Sequence, residues 1–186
     1  EAMKTTVPLV QNGKARHWRA NTAAVNGFAA RYYLYRNDYE KSLSFANKSL
    51  GEYNTLVNYN TNMRYGIDES VTIDAGTSKS KVVTIKYPYT HDNQTDLTDM
   101  IGWKEFLYFR MLNNESWWYI PSKSLLDMYD KDHDLRYTYH IVEGYSYSRG
   151  IIKPSYDYPG YIFFYNDRVP SGPTVSEMYL IKAETS

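Results

Sequence analysis

Two kinds of side chain in this 186-residue sequence could do chemistry: acidic groups at alternate positions and aromatic rings set in polar stretches. Asp130, Asp132 and Asp134 alternate as the opening of a calcium loop does. Such a loop needs glycine at 135 and an acidic twelfth ligand at 141, where Leu135 and Ile141 stand instead. The three aspartates therefore read as a solvated helix end, with Asp132 or Asp134 pairing Arg136. His17, His91, His133 and His140 lack metal-ligand spacing. Cysteine is absent, which excludes disulfides, thiolate metal sites and a thiol nucleophile. Carboxylates are plentiful, but nothing fixes the separation of a glycosidase pair. No glycine-rich phosphate loop and no nucleophile elbow appear. These residues predict no catalytic group, no metal and no cofactor.

The rings are the unusual feature. Tyrosine occurs 21 times, within an aromatic share of 17%. Tyrosine is amphipathic, and an excess marks surfaces that stack on ligands or partners; the competing reading is that the rings fill the core. Trp103 follows the polar run THDNQTDLTDMIG, and Trp117 follows Asn113-Asn114-Glu115. Tyr145 and Tyr147 lie in a glycine-flanked hairpin, while Tyr156, Tyr158 and Tyr161 lie in a Pro/Gly connection. Trp103 leans toward ligand contact and Trp117 is open between contact and core. Trp118 and Tyr119 read as a buried strand leading into Pro121.

The elements that must position these rings are legible in part. Residues 23–50, AAVNGFAARYYLYRNDYEKSLSFANKSL, read as two amphipathic helices joined at Asn37-Asp38. Val25, Phe28, Ala29 and Tyr32 form one apolar stripe at i, i+3, i+4, i+7, and Leu43, Ala46 and Leu50 form another. Asp38 is a good N-cap, and Gly51 stands where a helix C-terminus favours a left-handed residue. Ala30, Tyr33, Ser42, Ala46 and Ser49 occupy the small and aromatic positions of the tetratricopeptide pattern, a repeat of about 34 residues. Residues 53–77 read as loop with a short strand at 71–73. Residues 81–87 alternate, with Val83, Ile85 and Tyr87 on one face, and read as a strand. Residues 101–112 are apolar and ambiguous between strand and helix. Ser122 caps a helix whose apolar face is Leu125, Met128 and Tyr129. Residues 137–142 and 161–165 read as strands. Thr174 and Glu177 form a capping box for a last helix. Its uncapped end predicts that the chain is part of a longer protein.

Bulk composition excludes some partners. Lys+Arg 21 balances Asp+Glu 21, so no net charge draws the chain to nucleic acid or anionic membrane. No apolar run approaches the roughly 18 residues of a spanning helix, and the first residues lack a signal peptide's apolar core. The fold class expected is mainly α: a tetratricopeptide-like helical hairpin of the α-α superhelix type, with irregular aromatic-rich loops and a few short strands. One domain is expected over residues 1–186, with the hairpin at 20–51, a loop and strand region at 52–120, and a helix, short strands and the terminal helix at 121–186.

Three segments, in order, resemble the SusD/RagB family of outer-membrane glycan-binding lipoproteins. They are the hairpin of residues 23–50, the segment YIPSKSLLDMYDKDHDLR from Tyr119 to Arg136, and PTVSEMYLIKAETS from Pro173 to Ser186. An arginine usually precedes the family's final helix, whereas Pro173 and Thr174 stand there in this chain, with Arg168 further upstream. Family members are several hundred residues long and begin with a lipidated cysteine that this chain does not contain.

The resemblance implies a non-enzymatic, surface-exposed outer-membrane lipoprotein. Such a protein captures oligosaccharides and passes them to a TonB-dependent SusC-like transporter, with helices as scaffold and loops as site. Sugar rings present flat C–H faces that pack on aromatics and hydroxyls that need fixed donors and acceptors. On that reading the carbohydrate-binding candidates are Trp103, Trp117, Tyr145, Tyr147 and Tyr158. Two other classes fit the same residues: a tetratricopeptide-like protein-interaction module whose tyrosines are core, and a glycan-processing enzyme built on helical repeats.

Overall fold

A computed structural model describes residues 4, 6–12, 14–74, 80–89, 100–111, 120–144, 146–149, 152–163 and 170–186. In chain order the elements are β1 (Val10–Gln11), β2 (Lys14–Ala15), α1 (Thr22–Tyr35), α2 (Tyr39–Glu52), α3 (Tyr59–Asn62), β3 (Tyr65–Asp74) and β4 (Ser80–Pro88). A 3-10 turn at Ile101–Trp103 follows, then β5 (Arg110–Met111), α4 (Lys123–Asp127), α5 (Leu135–His140), β6 (Ile141–Val142), β7 (Ser146–Arg149), β8 (Ile152–Asp157), β9 (Gly160–Tyr161), β10 (Pro170–Ser171) and α6 (Val175–Thr185). The described chain is thus partly helical, with six helices beside five two-stranded sheets. It divides into two compact units: Glu1–Val57 with Trp103–Arg110 and Pro170–Ser186, and Asn58–Gly102 with Met111–Val169.

The first unit is built on the helical hairpin. Asn21 caps α1 through its side-chain oxygen, which accepts from the Ala24 amide. At the other end Asn37 takes a left-handed conformation (φ 56°). The Asp38 amide then reaches the Tyr33 carbonyl at 3.0 Å, and the Asn37 amide reaches Leu34 at 2.9 Å. That bond pair is a Schellman closure, for which asparagine is the usual substitute for glycine. Asp38 next caps α2 by accepting from the Lys41 amide, as expected. Two adjacent residues thus end one helix and start the next. Gly51, by contrast, is not a left-handed cap: it lies inside α2, which runs to Glu52 and ends on an extended Tyr53.

Where the helices meet, the residues are small. Ala23, Ala30 and Ala46 are fully buried, and so are Ser42 and Ser49. Ser42 Oγ donates to the Ala30 carbonyl and Ser49 Oγ to the Ala23 carbonyl, each at 2.9 Å. The later serine faces the earlier alanine, so α1 and α2 run antiparallel. A hydroxyl on so short a side chain reaches a neighbour's backbone only when the helices approach closely, which the alanines permit. This reverses the expected orientation of α1. Phe28 and Tyr32 of the predicted stripe are 43% and 58% exposed. The packed face consists of Ala23, Gly27, Ala30 and Leu34, which a search for large apolar residues passes over.

The third helix completes the layer. In α6, Val175, Met178 and Ile181 are buried against Leu50, Leu107 and the alanines. Its capping box is present, with Thr174 Oγ1 accepting from the Glu177 amide at 3.1 Å. The Glu177 carboxylate also takes a two-bond fork from Arg31 of α1, both contacts at 2.6 Å. One residue therefore fixes the start of α6 and its contact with α1. Two glycines let the intervening segments close over α1. A Cβ on Gly27 would lie 3.1 Å from both Leu107 Cδ1 and Pro173 Cβ, and Gly172 (φ +107°) would place one 1.9 Å from the Tyr108 carbonyl oxygen. Only glycine fits the second position.

The second unit is mixed. β3 and β4 pair antiparallel from Tyr65–Pro88 to Asp74–Ser80, with a register shift after Tyr65. β3 is thus much longer than the short strand expected at 71–73. In β4, Ile85 is buried and Tyr87 half-buried while Val82, Thr84 and Lys86 are exposed, which is the expected alternation. Ile85 packs on Val142 and Ile162. Ser122 caps α4 as expected, accepting from the Leu125 amide. The buried face of α4 is Leu126, however, and Leu125 and Met128 are 42% and 82% exposed. Of the strand expected at 137–142, only Ile141–Val142 is strand; 137–140 belong to α5, which Asp134 caps by accepting from the Arg136 amide. The same Asp134 pairs with the Arg136 guanidinium at 2.5 Å, as the helix-end reading anticipated, and the pairing holds its carboxyl below the usual carboxylate range.

Because the hairpin depends on close approach, replacing Ala30 with leucine should cost about 1–3 kcal/mol by overpacking. Urea denaturation reads the loss, and a variant as stable as the parent would mean that α1 and α2 are not in close contact.

Candidate functional site

Rings of the first unit converge on the segment 103–109. Trp103 ends the 3-10 turn and is half-buried. Its ring lies 4.5 Å from that of Trp18, tilted by 53°, and 5.1 Å from that of Phe109. Phe106 meets Phe109 edge-on at 5.1 Å. Trp18 is also half-buried, and guanidinium groups lie over its ring: Arg19 at 4.9 Å and Arg16 at 5.9 Å from the centroid.

Backbone bonds hold this pair of indoles in place. The Phe109 amide donates to the Trp18 carbonyl at 2.8 Å, and the Phe106 amide to the Trp103 carbonyl at 3.0 Å. His17 is buried with Nδ1 2.9 Å from the Phe106 carbonyl, which can only accept, so Nδ1 carries the proton. The His17 imidazole stacks on Tyr53 at 4.1 Å and 7°, and the Tyr53 hydroxyl donates to the Lys104 carbonyl at 2.6 Å. Asn21 gathers the turn that carries Trp18, its amide nitrogen lying 2.9 Å from the His17 carbonyl and 2.8 Å from that of Arg19. The Asn21 side chain is 1% exposed, so the whole arrangement is anchored in the core. Two indoles held this way, each part in solvent, make a surface on which a flat apolar face can stack without reordering the protein.

Of the residues expected to bind, Trp103 lies in this arrangement. Tyr158 lies in the second unit, half-buried against the cluster of Leu126, Tyr137 and Ile141, so it serves the core at least in part. Tyr147 belongs to β7, where its backbone pairs with that of Tyr156. Trp117 and Tyr145 lie outside the described residues, as do Trp118 and Tyr119. Sequence reasoning missed Trp18 and Arg19. The signal was Arg16-His17-Trp18-Arg19, a tryptophan flanked by cations just upstream of the first expected helix.

The second unit buries a titratable group. His140 has Nδ1 3.1 Å from the Ile162 carbonyl and Nε2 3.1 Å from the Tyr59 hydroxyl. The carbonyl only accepts, so Nδ1 is the protonated nitrogen and Nε2 accepts from Tyr59. Tyr161 and Phe163 stack on the same imidazole at 5.9 and 6.2 Å. Burial pushes the His140 pKa down to about 4 and raises that of the Tyr161 phenol. Among the described residues no three His, Asp or Glu side chains gather as a metal ion would need, and no helix is long and apolar enough to cross a membrane. No family model, curated protein or solved structure matches the chain.

His140 makes stability depend on pH. Its folded pKa lies below the ordinary value of 6.5, so the unfolded state takes up the proton first as pH falls. Stability from this group is complete above pH 6.5 and declines toward pH 4, by on the order of 3 kcal/mol in all. Urea denaturation at pH 7.0, 6.0 and 5.0 should show that decline, and His140→Gln should flatten it by roughly 1 kcal/mol per pH unit. Equal slopes in both proteins would remove His140 as its source.

Proposed function

We propose that this chain is a non-catalytic oligosaccharide-binding protein whose sugar contact is the Trp18–Trp103 pair. One observation carries the reading: two half-buried indoles at 4.5 Å, each pinned through its own carbonyl to a backbone amide of Phe106 or Phe109. Sugar C–H faces stack on such rings, and fixed geometry lowers the ordering cost of binding. The resemblance of three ordered segments to the SusD/RagB family points the same way. On that reading the α1–α2 hairpin and α6 serve as a tetratricopeptide-like scaffold. The protein then sits on the outer-membrane surface as a lipoprotein and delivers glycans to a TonB-dependent SusC-like transporter.

A second observation supports an interaction role for the scaffold. Phe28, Tyr32 and Tyr35 are 43%, 58% and 82% exposed along α1, on the side turned away from α2. Large exposed aromatics in a row suit a protein contact. The two roles are compatible because they use different residues.

Isothermal titration against a panel of oligosaccharides tests the first role. At least one sugar should bind, and Trp103→Ala should weaken it at least tenfold, the effect of losing about 1.4 kcal/mol of stacking. Binding unaffected by this change would remove Trp103 from the site, and release of reducing sugar with turnover would replace binding by hydrolysis. For the second role, the doubly substituted Phe28→Ser, Tyr32→Ser protein should lose retention by a purified SusC-like barrel while still binding sugar. Retention equal to the parent's would place the contact elsewhere.

A further inference from the structure

Resting on the oligosaccharide reading, we propose that the Trp18–Trp103 site selects sugars bearing an anionic group, a uronate carboxylate or a sulfate ester, through the guanidinium of Arg19. Arg19 is exposed and lies over the Trp18 ring at 4.9 Å. Stacking engages the face of a guanidinium and leaves the N–H groups at its edge able to donate, which is how arginine grips a carboxylate or sulfate with two parallel bonds. The backbone around Arg19 is fixed. Its amide donates to the Arg16 carbonyl at 2.9 Å, and its own carbonyl accepts from the Asn21 side chain at 2.8 Å.

Apart from its contact with the Trp18 ring, the charge of Arg19 is not used by the described residues. Arg31, the arginine of α1, is forked onto Glu177, and Asp38 takes Lys41. No carboxylate of the described residues lies within ion-pair distance of Arg19. A second guanidinium, that of Arg16, lies 5.9 Å from the same ring. The chain as a whole carries no net charge, so the preference is local to this ring pair and does not extend to polyanions in general.

The test is titration of the 186-residue chain with three hexasaccharides: galacturonate, chondroitin sulfate and neutral maltohexaose. At low salt at least one acidic sugar should bind about tenfold or more tightly than the neutral one, with the advantage shrinking at 0.5 M sodium chloride. The uronate and sulfate arms identify which anion is preferred. Arg19→Gln should bring the acidic sugar to the neutral level, and Arg19→Lys should keep only part of the advantage because it lacks the fork. Unchanged melting temperatures show that these exposed substitutions leave the fold intact. An acidic preference that survives in Arg19→Gln overturns the assignment, as does tighter binding of the neutral sugar, while sugar binding itself stands. Failure of all three sugars overturns both readings. Tighter binding of a single-stranded oligonucleotide than of any sugar would assign the site to nucleic acid and overturn it too.

Discussion

Close approach of α1 and α2 is the constraint on which the first unit depends. Ala23, Ala30 and Ala46 leave no side chain beyond Cβ at the contact, and the hydroxyls of Ser42 and Ser49 bond directly to carbonyls of the facing helix. A methylene added at the interface would break both bonds at once. With the small face committed inward, the large residues of α1 must lie elsewhere, which is why Phe28, Tyr32 and Tyr35 are exposed. Gly27 then gives room for Leu107 and Pro173 to close over the hairpin, bringing the segment after Trp103 and the start of α6 onto the same helix.

From that contact the ring pair follows. Asn21 is both the N-cap of α1 and the clasp of the turn carrying Trp18, since its oxygen takes the Ala24 amide while its nitrogen serves the carbonyls of His17 and Arg19. The start of α1 and the geometry of the indoles are therefore fixed by one side chain. His17 adds a second fastening, one ring nitrogen on the Phe106 carbonyl and one face on Tyr53. A ring pair held this way takes its rigidity from the core, so a ligand stacked on it would lose little binding energy to the ordering of loops.

The parts legible in the sequence were those with a local chemical signature. Asp38, Ser122, Thr174 and Glu177 cap helices as their types and spacing predict. The alternation of residues 81–87 gives the right face of a strand. Tertiary choices were not legible. The stripe of Val25, Phe28, Ala29 and Tyr32 has the helical period, but so does the face of Ala23, Gly27, Ala30 and Leu34, and only the partner decides which is buried. Residues 137–142 have a strand's composition, yet the Asp134 cap makes most of them helix. Trp103 could be singled out because it follows a polar run. Trp18 had only its flanking cations to mark it, and its place beside Trp103 depends on a hydrogen bond from the Phe109 amide, a pairing distant in sequence.

Aromatic richness alone does not separate a site from a core, and the two units show why. In the second unit Tyr137 is buried, Tyr158 and Tyr161 are half-buried, and all three pack into one apolar cluster; burial raises the Tyr161 phenol. In the first unit Trp18 and Trp103 keep part of their surface in solvent, and a cation rests on one of them. A ring covered by apolar atoms contributes its area to folding. An exposed arginine on a half-buried indole contributes at most about 1 kcal/mol to stability, too little to explain the three hydrogen bonds by which the Asn21 side chain fixes that turn. The fixing makes physical sense if the turn's conformation matters for what the exposed edge of the rings and Arg19 meet from outside.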